Sequence, residues 1–98
     1  MMSTSKNAVV SSPQVVACEF GSGVALLDLA GNTYFSLNDV GAFIWEQIRT
    51  PLPVSEIVDR VTATYDVEPA RCVSDVQTLL SRLETAGLIR WEQAEHAG

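Results

Sequence analysis

Few side chains of this 98-residue chain have the type and spacing that catalysis requires. The single histidine, His96, is predicted to lie in a solvated tail near the C-terminus. Neither Cys18 nor Cys72 has a histidine in its segment, so neither thiol has the neighbouring base that activates a nucleophile. The carboxylates are scattered, and no pair has a spacing that argues for acid–base chemistry. The sequence therefore indicates that the protein is not an enzyme.

Metal and phosphate sites are not indicated either. A closed metal site needs a cluster of Cys, His and carboxylate ligands. The sequence offers no such cluster, so no metal and no cofactor is expected. Gly21 and Gly23 lack the strand–helix context of a phosphate-binding loop. Cys18 and Cys72 have no CxxC spacing, and both are expected to be buried as small hydrophobic side chains, without a disulfide in a reducing cytosol.

Composition limits the class of partner. The chain is 47% hydrophobic and has a formal net charge of −6. These values support one small domain with a single core and disfavour a nucleic-acid backbone as the main partner. A neutral or basic partner is mildly favoured. No apolar run is long enough to span a bilayer, and residues 1–12 do not resemble a signal peptide, so the expected compartment is the cytoplasm.

Three short strands are predicted in the first half of the chain. In the first, Val16, Cys18 and Phe20 alternate with other residues at a period of two and are expected to face the core. A Gly-Ser-Gly turn leads to a more apolar strand over residues 24–29. An Ala-Gly-Asn turn, whose Gly and Asn tolerate positive φ, leads to the third strand over residues 32–36. Tight turns between sequential strands predict an antiparallel sheet.

The third strand is the main functional candidate. Thr33, Phe35 and Leu37 share one face, and Tyr34 and Ser36 share the other. The strand is short and mixed in polarity, as expected at the edge of a sheet. The free backbone groups of an edge strand can pair with an extended peptide.

Three helices are predicted to follow. Asn38 is a suitable N-cap for the first, the two prolines Pro51 and Pro53 separate it from the second, and the third runs from about Pro69 to a C-terminal cap at Gly87. The fold class is therefore α+β, a three-stranded antiparallel sheet followed by three helices, like a winged helix-turn-helix. Flexible tails are expected over residues 1–13 and 92–98, around a domain at 14–91.

Because the predicted order of elements is like that of a winged helix-turn-helix, DNA binding must be considered as an alternative function. A recognition helix presents an exposed basic and polar face. The third predicted helix has Arg71 and Arg82, but Asp75 and Glu84 lie on the same helix. Six basic residues in the whole chain cannot neutralise many phosphates. A small DNA-binding regulator therefore remains only an outside alternative.

Three segments together resemble the PqqD-like family, also called RiPP recognition elements, where RiPPs are ribosomally made and post-translationally modified peptides. They are LLDLAGNTYFSLNDVGAFIW, EIVDRVTATYDVEP and DVQTLLSRLETAGLI, and the resemblance extends over about Val15 to Ile89. One departure is Pro53, at a position where family members often have a Ser or Thr helix cap. The matching positions are Asp28, Tyr34, Phe35, Leu37, Asn38, Gly41, Trp45, Tyr65, Asp66, Val67, Asp75, Leu83, Gly87 and Leu88.

The resemblance implies a function. Family members have three strands and three helices and bind the leader segment of a precursor peptide, which adds as a strand along the third strand. Leader side chains then enter a groove between that strand and the third helix. Free-standing members present the precursor to a leader peptidase in lasso-peptide pathways, or to a radical enzyme in the pyrroloquinoline quinone pathway. The compact length and the DVEP start of the third helix look more like the lasso-peptide members.

The expected function is that of a non-catalytic adaptor, and a PqqD-like peptide chaperone for another RiPP pathway is the alternative. Some expected site residues have a competing interpretation. Val76 and Leu83 are also suited to the core, Tyr34 and Phe35 divide between the two sheet faces, and Trp45 either packs under the sheet or faces an enzyme. Asp28 is either only a position of the family motif, or its carboxylate holds the turn at Gly31. The expected leader-binding residues are Asn32, Thr33, Tyr34, Phe35, Ser36, Cys72, Asp75, Val76, Leu79 and Leu83.

Overall fold

The computed structural model describes residues 7–21 and 23–93. None of the helices in these ranges is long and apolar enough to cross a membrane. The described elements in chain order are β1 (Asn7–Ser11), β2 (Val15–Phe20), β3 (Gly23–Asp28), β4 (Thr33–Leu37), α1 (Asp39–Gln47), β5 (Leu52–Pro53), α2 (Val54–Thr64), α3 (Pro69–Thr85) and β6 (Ile89–Gln93).

The main sheet confirms the predicted three-stranded meander. Its strand order is β2-β3-β4, and both pairings are antiparallel. Leu26, on the central strand, is opposite Ala17 on one side and Phe35 on the other. Within the described part of the chain β4 pairs only with β3. Its other edge is therefore open, as expected for an edge strand.

Asp28 holds the turn between β3 and β4. Its Oδ1 accepts hydrogen bonds from the backbone N–H groups of Ala30 and Gly31, each at 3.1 Å. The Asn32 N–H donates to the Asp28 carbonyl at 2.7 Å, and Asn32 has a φ of 58°. Asn tolerates this left-handed conformation. Of the two interpretations of Asp28, the structure supports the one in which its carboxylate holds the turn.

The helices begin and end where the sequence predicted. The Asn38 side chain caps α1 by accepting a hydrogen bond from the Gly41 N–H at 2.9 Å. Pro69 lies in the first turn of α3, and Gly87 follows its end with a φ of 78°. Pro53 is the N-cap residue of α2 and provides no side-chain hydrogen bond. The departure at Pro53 thus leaves the start of α2 without a polar side-chain cap.

One core joins the helices to the inner face of the main sheet. Trp45 is 5% exposed and belongs to this core, which decides against an enzyme-facing position for its indole. Burial of these side chains supplies the main stabilisation of so small a domain. The fully or almost fully buried members include Val9, Leu26, Ile48, Ile57, Val61, Val76, Leu83 and Leu88.

A second sheet corrects the predicted domain bounds. Its order is β5-β1-β6, with β1 antiparallel to both neighbours. The predicted flexible tail over residues 1–13 is therefore wrong for Asn7–Ser11, where Val9 is fully buried. At the other end β6 continues to Gln93, beyond the predicted bound at residue 91. Residues 1–6 and 94–98, which include His96, lie outside the described residues.

The inner face of β2 also differs from the prediction. Cys18 is exposed and Val16 is 41% exposed, whereas Val15 packs against the core. The expected burial of Cys18 was wrong because apolar residues occupy both faces of β2, and alternation alone did not decide between them. Cys72 is buried, as expected.

Candidate peptide-binding groove

A groove of about 570 Å³ lies between the edge strand β4 and helix α3. Strand β4 forms one wall, α3 forms the opposite wall, and the first half of α1 closes one part. Val61 of α2 and Val67, in the connection before α3, complete the lining. The groove therefore borders the open edge of the main sheet.

The β4 wall consists of Phe35, Ser36 and Leu37. Phe35 is half-buried and faces the groove, whereas Tyr34 is 63% exposed on the opposite face of the sheet. Tyr34 and Phe35 point to opposite faces of the sheet, and of these two aromatic residues Phe35 lines the groove and Tyr34 does not.

The α3 wall presents a single helical flank. Cys72, Asp75, Val76, Leu79 and Arg82 recur along it at the spacing of helix turns. Cys72 and Val76 are buried, Leu79 is half-buried, and Asp75 and Arg82 are exposed. The wall is thus apolar at its base, with charged groups at its rim.

The start of α1 fits closely against the end of β4. Asn38, Val40, Gly41 and Ile44 all contribute to the lining. A Cβ atom at Gly41 would lie 3.1 Å from Leu37 Cδ2 and 3.3 Å from Asn38 Oδ1. Glycine therefore permits the close approach of helix and strand that shapes this part of the groove.

The two charged rim residues have different surroundings. Arg71 Nε lies 3.7 Å from Asp75 Oδ2, and both side chains are mostly exposed, so this ion pair is weak. Arg82 Cζ lies 5.6 Å from the centre of the Phe35 ring. This cation–π contact joins α3 to β4 across the groove.

Cys72 lies at the base of the groove as a neutral thiol. Burial raises the pKa of Cys72 above its ordinary value, and the negative charge of Asp75 raises it further. A raised pKa disfavours the reactive thiolate. No group of three His, Cys, Asp or Glu side chains suited to a metal ion lies within residues 7–21 and 23–93. The arrangement is suited to binding an extended chain, with main-chain groups at one wall and apolar contacts at the other.

The family model for coenzyme PQQ synthesis protein D (PqqD) matches residues 23–89, which include the main hairpin, all three helices and the whole groove. The chain belongs to the PqqD family. This assignment confirms the resemblance found in the sequence.

Two solved structures are similar to this PqqD family member. One is TbiB1 in complex with the TbiA(beta) leader peptide, at 32% sequence identity and a TM-score of 0.74, covering 83% of this chain and 94% of that chain. The other is a lasso peptide synthetase B1 complexed with the leader peptide, at 22% identity and a TM-score of 0.70, covering 84% and 96%. The second likeness supports the fold alone. The comparison with curated proteins found no match.

In this PqqD family member, six of the predicted site residues come together. Phe35, Ser36, Cys72, Asp75, Val76 and Leu79 all line the groove. Asn32, Thr33 and Tyr34 do not line it, although Thr33 and Tyr34 belong to the open edge of β4.

Leu83 requires a correction. Its side chain is fully buried in the core and does not line the groove, so the structure supports its competing interpretation. Leu83 follows Leu79 by one helical turn on the same flank of α3, but there the core cluster covers its side chain completely.

Other residues line the groove without having been predicted to do so. Arg82 lies three positions after Leu79 and seven after Asp75, so extension of the helical flank by one turn would have included it. Val67 lies in a connection and has no periodic signal. The start of α1 lines the groove because it packs against the end of β4, a contact that no local sequence pattern indicates.

Proposed function

We propose that this chain is a non-catalytic adaptor that binds the leader segment of a ribosomal precursor peptide by strand addition at β4. The observation that supports this most directly is the open edge of β4 beside an apolar groove. An added strand would pair its main chain with β4 and direct alternate side chains toward α3. Main-chain pairing supplies affinity, and contacts in the groove supply specificity.

The related complexes support the same function. TbiB1, at 32% identity, is a protein solved with a leader peptide, and the match spans 94% of its length. We propose that the bound precursor is presented to a separate enzyme, with a lasso-peptide leader peptidase as the first candidate. A partner enzyme of the pyrroloquinoline quinone pathway is the second candidate, favoured by the description of the family model. The proposed compartment is the cytoplasm.

The charges on α3 disfavour DNA binding. Arg71 is paired with Asp75, and Arg82 lies over the Phe35 ring. Helix α3 thus lacks the unbroken basic face that contacts phosphates, and the formal net charge of the chain is −6. A winged-helix arrangement alone does not define a function.

Calorimetry against two ligands tests the proposal. The purified protein is titrated with the leader of a precursor encoded beside its gene, and separately with random duplex DNA, at low and moderate salt. We expect a one-to-one leader complex with micromolar or tighter affinity, about −8 kcal/mol or better. Salt should weaken it only modestly, because apolar burial dominates. A scrambled leader of the same composition is the control.

The opposite pattern would overturn the adaptor assignment. That pattern is tight duplex binding with a steep salt dependence, together with no heat from any leader encoded nearby. Equal binding of the native and scrambled leaders would exclude sequence-specific recognition.

A further inference from the structure

Arg82 differs from the other arginines of the chain in what holds its guanidinium group. Arg49 and Arg90 form ion pairs with Glu46 and Glu92, at 3.3 Å and 3.4 Å. Arg60 donates to Gln47 at 2.8 Å, and Arg71 is paired with an aspartate. Within residues 7–21 and 23–93, Arg82 alone among the arginines has no ion pair or side-chain hydrogen bond, and its guanidinium lies over an aromatic ring.

The Phe35 ring preorganises this group at the rim of the groove. A guanidinium over a ring face is attracted by the ring quadrupole, and the N–H groups at the edge of its plane remain available as donors. Phe35 itself lines the groove from β4. The Arg82 donors are therefore held beside the edge where a peptide strand would add.

The other charged residue at the rim of the groove, Asp75, is negative. Asp75 lies seven residues before Arg82 on α3, about 10 Å away along the helix axis. Its charge is partly balanced by the weak pair with Arg71, whereas within residues 7–21 and 23–93 no carboxylate forms an ion pair with Arg82. An acidic side chain of a bound peptide would be attracted near Arg82 and repelled near Asp75.

We propose that Arg82 binds a carboxylate side chain of the peptide in the groove, next to an apolar peptide side chain that contacts Leu79. This inference rests on the proposed function and specifies the chemistry of the ligand. The planar guanidinium matches a carboxylate with two parallel hydrogen bonds. Because the protein has a net charge of −6, an acidic peptide residue is favoured at this position rather than along the whole groove. The contact would therefore fix the register of the added strand.

Selection from a random peptide library provides the test. A display library is selected in parallel on the wild-type protein, Arg82→Met and Arg49→Met. Methionine retains an apolar stem without charge, and Arg49 is an exposed arginine that does not line the groove. We expect wild-type and Arg49→Met to enrich Asp or Glu at one fixed spacing from an apolar residue. Arg82→Met should lose the acidic preference and keep the apolar one.

A double-mutant cycle with one selected peptide measures the contact. Replacing its enriched Glu by Gln, or Asp by Asn, should weaken binding to the wild-type protein about 10-fold, the lower range for a charge-assisted hydrogen bond. The same replacement should change binding to Arg82→Met by less than about twofold. Arg82→Lys should give an intermediate loss, since an ammonium group cannot form the two parallel bonds. Circular dichroism verifies that each variant folds.

The failures of this test have different meanings. If wild-type protein retains peptides without an acidic preference, or if the cycle shows no coupling, the role of Arg82 is wrong and peptide binding stands. If no peptide is retained, the proposed function and the role of Arg82 are overturned together. If a folded Leu79→Ala protein binds the selected peptide as the wild-type protein does, the placement of the apolar peptide side chain against Leu79 is wrong.

Discussion

Asp28 Oδ1 accepts the Gly31 N–H at 3.1 Å, and this hydrogen bond closes the turn that places β4 at the edge of the main sheet. Asp28 is itself only 7% exposed. A Cβ atom at Gly31 would lie 2.8 Å from Asp28 Oδ2, so the carboxylate approaches the turn too closely for a larger residue. The Asp28–Gly31 pair therefore connects a motif in the sequence to the position of the binding edge.

Replacing Asp28 by alanine should destabilise the protein. The change removes the acceptor of two backbone N–H groups in a partly buried turn. We expect a loss of about 1–3 kcal/mol in the free energy of unfolding, measured by urea denaturation. Asp59→Ala, at an exposed position of α2, is the control and should change stability by no more than about 0.5 kcal/mol. Equal losses for the two variants would contradict the role given to Asp28.

Leader binding should act on the backbone of β4. We expect the amides of residues 33–37 to shift in NMR titrations and to gain protection from hydrogen exchange, because an added strand would engage the open edge. Strand β2 is the internal control, since it forms the other edge of the same sheet in the described part of the chain. Changes confined to β2 or α2 would refute the placement of the leader at β4.

Leu79→Ala should weaken leader binding. The side chain is half-buried and lines the groove. Its truncation removes apolar contact of about 1–3 kcal/mol. Val73→Ala is a matched control on the same helix, because Val73 is 39% exposed and does not line the groove. Calorimetry and circular dichroism on the same samples separate binding from folding. A folded Leu79→Ala protein with wild-type affinity would exclude Leu79 from the binding surface.

The two cysteines should differ in reactivity toward a thiol reagent. Cys18 is exposed and should be labelled rapidly. Burial, and then the charge of Asp75, raise the pKa of Cys72. Its thiolate therefore forms at a higher pH than the thiolate of an ordinary cysteine, which ionises at a pH of about 8.5. In a Cys18→Ser protein we expect slow labelling at pH 8 that accelerates at higher pH, and a further slowing when a leader occupies the groove.

Mass spectrometry of the labelled Cys18→Ser protein provides the measurement. A sample unfolded in guanidinium chloride is the control and should be labelled rapidly at pH 8, because unfolding removes the burial of Cys72. The raised pKa of Cys72 should also make the stability of the protein decline at high pH. The unfolded Cys72 thiol loses its proton at a lower pH than the folded one. The contribution of Cys72 to the free energy of unfolding is therefore complete below about pH 8.5 and declines as the pH rises further. Equal labelling rates in the folded and unfolded protein would contradict the burial of Cys72.

Local patterns made most of the fold predictable from the sequence. Asn38, Pro69 and Gly87 mark helix ends through their own backbone chemistry, and Ala30-Gly31-Asn32 marks a turn in the same way. Strand β1 has no such signal. Its five residues, Asn-Ala-Val-Val-Ser, become a strand only by pairing with β5 and β6. Such partners, distant in sequence, leave no local pattern.

The candidate site was predictable where one helix flank defined it. Cys72, Asp75, Val76 and Leu79 follow from the periodicity of α3, and all four line the groove. The position of Leu83 did not follow, because periodicity gives an angle around the helix but not the boundary between groove and core. The stacking of Arg82 on Phe35 depends on the distance between α3 and β4, which no pattern within either element encodes.

The position of β1 between β5 and β6 also affects how the chain folds as it leaves the ribosome. The hairpins of β2, β3 and β4 join residues close in sequence and can form soon after they are synthesised. Strand β1 is made before the other described strands, yet Val9 pairs with Trp91. Until β6 emerges, β1 has only the two-residue β5 as a strand partner in the described fold. The first of the described strands to be synthesised is thus among the last to gain its full pairing, and a chain that stopped before Ile89 would present a largely unpaired apolar strand to chaperones and to other nascent chains.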